Sequence, residues 1–312
     1  MITKWLKRIL GIAIIAFLIW YLAGHWQQVR ELLKLSVFEL IVIYVICFIG
    51  TLNSAVVVMA ILKPMGIRAL FWDMILLQNA CMLLNYVPMK FGTLFMANYL
   101  KRHYGLKYSQ FGIFAVYLTL LLSAAAALIG IIAMVLVYGF ADVHKQILMG
   151  IFLISLIGSI FLIYFPLPIP KGTSKLAIAL RDFIGGRQVV TQDTKSLFLA
   201  AFFLLLNFIL TSVRLAVIYH GMGKDINPAG YLVLGALGFV MMFINITPGA
   251  LGIREAVLGA GAIVLGAPLE VGVTAAVIDR AVTLSWAFVV GGVSAIWLWY
   301  KSPEDFKKNN NT

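Results

Sequence analysis

The stretch Asn245-Ile-Thr-Pro248-Gly249-Ala-Leu-Gly252 repeats the pattern of Asn85-Tyr-Val-Pro88-Met-Lys-Phe-Gly92, Asn-x-x-Pro-x-x-x-Gly, at an offset of 160 residues. Each copy lies inside an apolar stretch, Ala69–Leu84 before the first and Tyr231–Ile244 before the second. The flanks keep the offset: segment 37–62 maps onto the apolar segment beginning at Ser196, and 111–137 maps onto the last apolar segment. Three elements agreeing at one offset mark an internal repeat. Proline removes a backbone donor and glycine loosens the helix further. A broken backbone at membrane depth is tolerated only where protein buries it or a wet cavity faces it. The pattern therefore predicts, in each half, a helical hairpin that enters and returns on the same side. The alternative is a kinked ordinary helix with a surface loop.

Composition places the whole chain in the bilayer. Hydrophobic residues make up 62% of 312 and the mean hydropathy is +1.01, far above soluble domains. Apolar runs long enough to cross a hydrocarbon core recur throughout, among them Leu40–Leu62, Phe111–Ala141, Ile147–Pro170 and Ala281–Tyr300, each about 20 residues or more. The first, Gly11–Ala23, is short and must borrow flanking residues. Lys4, Lys7 and Arg8 precede it as in a signal peptide, but bulky Tyr21 stands where a small residue would be needed for cleavage after Ala23, so an uncleaved first helix is expected. Lys175–Ile184 reads as a surface amphipathic helix and 301–312 as a polar tail.

The fold class expected is an all-α integral membrane protein of two inverted repeats, each with about three transmembrane helices and one re-entrant hairpin. It forms one polytopic domain over 1–312, with repeat one at about 1–140 and repeat two at about 145–300. Three crossings per half is an odd number, which inverts the second half. With the N-terminus inside, seventeen of the 24 Lys and Arg fall on the cytoplasmic side, five fall outside, and Arg214 and Arg280 lie within helices. Single crossings at the two motifs would move the Lys90–Lys107 and Lys171–Lys195 groups outside, against the positive-inside bias. Two full crossings at each motif would have the same parity, and charge does not separate that case. The expected location is the cell membrane with both termini cytoplasmic.

The net charge of +12 follows from these loop cations and does not indicate nucleic acid. Cys47 and Cys81 both fall in apolar segments, and the four histidines are scattered. Neither a disulfide, a metal nor any other cofactor is expected. The motifs of soluble nucleotide, hydrolase and metalloprotease chemistry are absent from the sequence.

Charges within apolar segments cost about 2.5–3.5 kcal/mol each on insertion scales and are functional candidates by default. They are Arg214, Arg254, Glu255, Asp279 and Arg280, with Lys90 and Glu270 near hairpin ends. Sequence neighbours on one helix point about 100° apart, so the cross-pairs Arg254 with Asp279 and Glu255 with Arg280 are the reasonable ones. They serve either as structural ion pairs or as ligands. Arg214 has no acidic neighbour in its own segment, which makes it the better candidate for an anionic ligand. Half-helices starting near Gly92 and Gly252 would aim free N–H groups toward mid-membrane, where an anionic headgroup fits. Asn85 and Asn245 are suited to capping the broken backbone.

Pro248-Gly-Ala-Leu-Gly-Ile-Arg-Glu255, followed by Leu265-Gly-Ala-Pro268 and Asp279-Arg280, resembles the P-G-G-L-G-x-x-E signature of the flippase-like family that includes the transmembrane region of lysylphosphatidylglycerol synthases. Asn85 to Gly92 with Tyr99-Leu-Lys-Arg102 is similar to its first-half counterpart. The resemblance implies movement of a lipid between leaflets, with Arg254, Glu255 and Arg280 at matching positions. It does not extend to the soluble aminoacyl-transferase domain, so lipid lysylation is not implied. Many relatives carry an acid and an Arg in the first motif where this chain has Gly92-Thr-Leu-Phe-Met96, which makes the expected chemistry one-sided. The expected substrate is an anionic phospholipid, glycolipid or polyprenyl phosphate. The alternative is a membrane-embedded enzyme or enzyme subunit acting on lipid-linked glycan or another lipid, with Glu255 or Asp279 as base. A membrane lipid is the expected partner, and self-association or a partner membrane enzyme is compatible with the sequence.

Overall fold

The structure is a computed structural model that describes residues 35–86, 91–138, 142–164, 192–240 and 253–300. The expected first helix, the Lys175–Ile184 segment, the tail, and motif residues Pro88, Lys90, Asn245, Pro248, Gly249 and Gly252 lie outside the described residues. Among the described residues all regular structure is helical.

Helices α1 (Val37–Leu62), α2 (Phe71–Leu84), α3 (Phe91–Tyr104) and α4 (Tyr108–Ala133) form the first half. Helix α5 (Val143–Tyr164) follows. Helices α6 (Thr194–Gly221), α7 (Pro228–Val240), α8 (Ile253–Val264) and α9 (Leu269–Trp286) repeat the order long, short, short, long. A π-turn at Ala287–Gly291 joins α9 to α10 (Gly292–Tyr300). Among the described residues five spans are long and apolar enough to cross a membrane: Val37–Met65, Tyr108–Leu136, Val143–Tyr164, Thr194–Gly221 and Leu269–Leu298.

Local chemistry sets the boundaries. Ser36 and Glu39 close a capping box at the start of α1: the Glu39 N–H donates to Ser36 Oγ at 3.3 Å and the Ser36 N–H donates to Glu39 Oε2 at 2.8 Å. Asp193 caps α6 through the Ser196 N–H at 3.1 Å. The turns from α3 into α4 and from α8 into α9 both pass through a left-handed residue, Gly105 at φ +72° and Gly266 at φ +89°, a conformation glycine adopts without penalty.

Packing interlocks the halves. Helix α1 lies along α6, the long helix onto which the 160-residue offset maps it. Helix α2 packs on α10 and its π-turn, while α7 packs on α4. Each half thus places its first short helix against the last long helix of the other. Small residues allow the close approaches that drive helix association in lipid. A Cβ on Gly272 of α9 would lie 2.5 Å from Ala262 Cβ and 2.9 Å from Gly259 Cα on α8. Asn53 of α1 donates to the Phe203 carbonyl of α6 at 2.7 Å, giving the α1–α6 seam a polar tie.

Candidate functional site: a buried charge cluster

Helices α8 and α9 run antiparallel about the Gly266 turn. Arg254 lies twelve residues before that glycine and Asp279 thirteen after it, so the two charged dipeptides come level across the tight Gly259–Gly272 contact. Members of each dipeptide then take different partners, as the angular spacing requires. Arg254 Nη2 donates to Asp279 Oδ2 at 2.5 Å, and Arg280 Nε stands 2.5 Å from Glu255 Oε1. Both cross-pairs anticipated from the sequence are present.

Arg214 differs from expectation. Its Nε donates to Asp279 Oδ1 at 2.6 Å, so it has an acidic partner, supplied by α9. The absence of an acid in its own helix said nothing about a residue 65 positions away that packing brings across. Its Nη1 also donates to Cys47 Sγ on α1 at 3.7 Å. Asp279 is therefore a carboxylate clamped on both oxygens by two guanidiniums, and its side chain is 0% exposed.

Three guanidiniums face two carboxylates, leaving one positive charge in excess. The pairs differ in access. The side chains of Arg280 and Glu255 are 3% and 11% exposed, and those of Arg214 and Arg254 are 13% and 22%. Arg254 is thus the most open cation of the group. Its guanidinium runs beside Gly238 of α7, where a Cβ would lie 3.7 Å from Nε. Glu270, in the first turn of α9, is exposed and outside the cluster.

The first motif contributes more than its sequence promised. Asn85 is the C-cap of α2, its N–H donating to the Cys81 carbonyl. A Cβ on Gly92 would fall 2.3 Å from the Cys81 carbonyl oxygen and 2.5 Å from Asn85 Oδ1, so α3 begins against the end of α2 only with glycine there. That crossing delivers the next residue, Tyr86, to the second half. Its hydroxyl is hydrogen-bonded to Thr283 and stands within electrostatic reach of Arg280, Arg254 and Asp279. The ring packs with Leu83, Ala287 and Phe288. Tyr86, Thr283 and Cys47 were not singled out as site residues from the sequence. For Tyr86 the available signal was its place between the Asn and Pro of a repeated motif.

A second polar contact joins α2 and α3 at the other end of α2. Buried Asp73, in the first turn of α2, accepts from the Tyr104 hydroxyl of α3 at 2.9 Å, and that oxygen accepts from the Leu70 N–H at 3.2 Å. Trp286 Nε1 donates to Asn79 Oδ1 at 3.0 Å, which ties α2 to α9. Beside that tie, Val37, Leu40, Ile41, Tyr44, Val45, Phe48 and Trp286 line an apolar groove of about 440 Å³ between α1 and α9.

Neither a curated protein nor a solved structure matches the chain significantly. The family model of the lysylphosphatidylglycerol synthase TM region matches residues 8–292, a span that takes in every residue of the cluster, and the chain belongs to that family.

Proposed function

We propose that this protein carries a lipid with an anionic headgroup between the two leaflets of the cell membrane, as a transporter and not as an enzyme. The observation that carries the reading is the unbalanced charge cluster. Three Arg against two acids, with no side chain of the five more than 22% exposed, is costly unless an anion completes it. A phosphate ester or other anionic headgroup supplies that charge and accepts from guanidinium N–H groups. The apolar groove beside Trp286 suits an acyl chain, while the outward apolar faces leave the rest of the lipid in the bilayer. Arg254, Arg280 and Arg214 are the headgroup ligands on this reading, with Lys90 a further cation of the first hairpin. Glu255 and Asp279, which an enzyme would need as base, are both engaged by guanidiniums, and this favours transport.

The architecture that fits is a pair of inverted repeats with re-entrant hairpins and both termini in the cytoplasm. Its supports are the repeated element order, the exchange of short helices between halves, and the one-sided distribution of loop cations. Such repeats place a substrate site where the halves meet and alternate its access by rocking one against the other.

The test is lipid translocation in proteoliposomes, read as dithionite bleaching of a fluorescent phosphatidylglycerol. Arg254→Gln is the variant of choice, because Arg254 is partly open and Asp279 keeps Arg214 when it is lost. Removing Arg280 would strand buried Glu255 and confuse function with folding. Arg254→Gln is expected to fold and to translocate at least ten-fold more slowly, the loss expected for a charge-assisted contact worth about 1.5–3 kcal/mol. Undiminished translocation by this variant refutes the proposal.

A further inference from the structure

We infer that the cavity where the start of α1 meets the end of α6 binds a phospholipid whose headgroup carries a primary ammonium. The cavity measures about 490 Å³, and among the described residues no lysine or arginine lines it, so it is separate from the Arg cluster. Helices α1 and α6 have 26 and 28 residues, more than the roughly 20 that a hydrocarbon core requires. Their paired ends therefore reach headgroup level.

The lining is divided. Phe38 and Val42 of α1 face Val213, Ala216 and Val217 of α6, and spacings of three and four residues keep each set on one side of its helix. Toward the helix ends this apolar wall gives way to Glu39, His220, Asp225 and Tyr231. The wall suits an acyl chain and the polar end suits a headgroup. Charge decides which headgroup, because two carboxylates meet here from different halves of the chain. Glu39 lies over Gly221, where a Cβ would stand 2.8 Å from Oε2, so glycine admits the acid of α1 to the end of α6. That oxygen accepts from the Ser36 N–H at 2.8 Å, and capping leaves Oε1 without a hydrogen bond among the described residues. Asp225 Oδ2 is 3.3 Å from His220 Nδ1, and Oδ1 accepts from the Tyr231 hydroxyl at 3.5 Å. Among the described residues neither acid pairs with a lysine or arginine; Lys224 adjoins Asp225 in the turn but does not line the cavity. A primary ammonium brings one positive charge and three N–H donors to such acceptors. A trimethylammonium brings the charge without a donor, and a headgroup with phosphate alone is repelled.

The experiment uses the full chain in detergent micelles, titrated by calorimetry with dihexanoyl phosphatidylethanolamine, phosphatidylcholine and phosphatidylglycerol. The unaltered protein is expected to bind the ethanolamine lipid about ten-fold more tightly than the choline lipid. Glu39→Gln combined with Asp225→Asn keeps the size of both side chains and should remove that preference. Val213→Trp fills the apolar wall about two turns from His220 and should weaken the ethanolamine lipid too. Equal affinity of the unaltered protein for the ethanolamine and choline lipids overturns the inference, as does a preference that survives the double acid variant. Should that variant fail to fold, Val213→Trp decides: undiminished binding overturns the site. Phosphatidylglycerol separates the cavity from the Arg cluster. Its binding should fall in Arg254→Gln and persist in the acid variant, and its loss in the acid variant overturns the inference of a separate site.

Discussion

Asp279→Asn offers the sharpest test of why the cluster is stable. The carboxylate is fully enclosed and spends both oxygens on guanidiniums, at 2.6 Å from Arg214 and 2.5 Å from Arg254. Asparagine keeps the shape but presents an amide N–H to one of two donors. It raises the excess charge of the cluster from one to two and releases two cations at once. Breaking a buried pair by removing one partner costs about 3–5 kcal/mol in soluble proteins, and an unpaired guanidinium at membrane depth about 2.5–3.5 kcal/mol on insertion scales. The partial exposure of Arg254 lowers its share, so about 3 kcal/mol is expected from these ranges together. Arg254→Gln alone should be nearly neutral, because the lost hydrogen bond is offset by removal of the excess charge. Adding Arg254→Gln to Asp279→Asn returns the excess to one and should recover about half the loss, on the order of 1–2 kcal/mol. Thermal unfolding of all four proteins in one detergent, followed by fluorescence-detected size exclusion, closes this cycle. If the double variant is no more stable than Asp279→Asn alone, charge imbalance is not what the carboxylate controls, and the reasoning fails.

Two further predictions concern the frame around the site. Gly92→Ala places a methyl 2.3 Å from the Cys81 carbonyl oxygen, a backbone atom with no rotamer to escape into. The crossing of α2 and α3 must open, at a cost of at least the ~1–3 kcal/mol of ordinary overpacking, and loss of monodisperse protein on size exclusion is the expected readout; unchanged stability would mean that the two helix ends do not meet there. Asp193, half-buried at the start of α6, has its carboxyl held below the ordinary carboxylate range, first by the Ser196 hydroxyl and then by the Ser196 N–H. A depressed carboxylate adds stability that is complete above its unfolded value, about 4, and is lost as pH falls through the lower folded value. The melting temperature should therefore decline on acidification below about pH 4 more steeply in the unaltered protein than in Asp193→Ala, whose curve should start lower and run flatter; parallel curves would remove Asp193 as a cap.

Much of this arrangement was legible in the sequence because the bilayer forces regularity. Every backbone polar group in hydrocarbon must be paired internally, so apolar length alone located the helices that the structure places at Val37–Leu62, Tyr108–Ala133 and Thr194–Gly221. The 160-residue offset, which maps 37 onto 197 and 111 onto 271, runs parallel to the order long, short, short, long that the described helices take twice. The pairing of Arg254 with Asp279 and of Arg280 with Glu255 followed from 100° per residue and a turn between two helices. Local geometry sufficed there. It failed for Arg214, whose partner lies on a helix with no local relation to its own, and for Cys47 beside it on α1. It failed again for Tyr86, since nothing in a one-dimensional pattern says that the end of α2 will reach Thr283 in the opposite half. Those contacts belong to the exchange of elements between halves, which spacing does not encode.

The same exchange revises the view that the chemistry is one-sided. All five charges come from the second half, on α6, α8 and α9. Yet the cluster is bounded by first-half groups: Cys47 on Arg214, Tyr86 on Thr283, and α2 fastened to α9 through Asn79 and Trp286. A displacement of α2 along α9 would move Tyr86 relative to Arg280 while leaving the Arg–Asp clamp intact, because all partners of Asp279 ride on second-half helices. The cations would then stay assembled while first-half groups shift over them. For a carrier of the kind proposed this division is useful: the Arg–Asp clamp is never dispersed into lipid, and the first-half groups that touch it or its neighbours, Cys47 and Tyr86, are neutral, so that exposing them costs far less than exposing a guanidinium. Between Asn85 and Met96 the first motif carries no acid and no Arg, in keeping with a clamp built wholly from second-half helices.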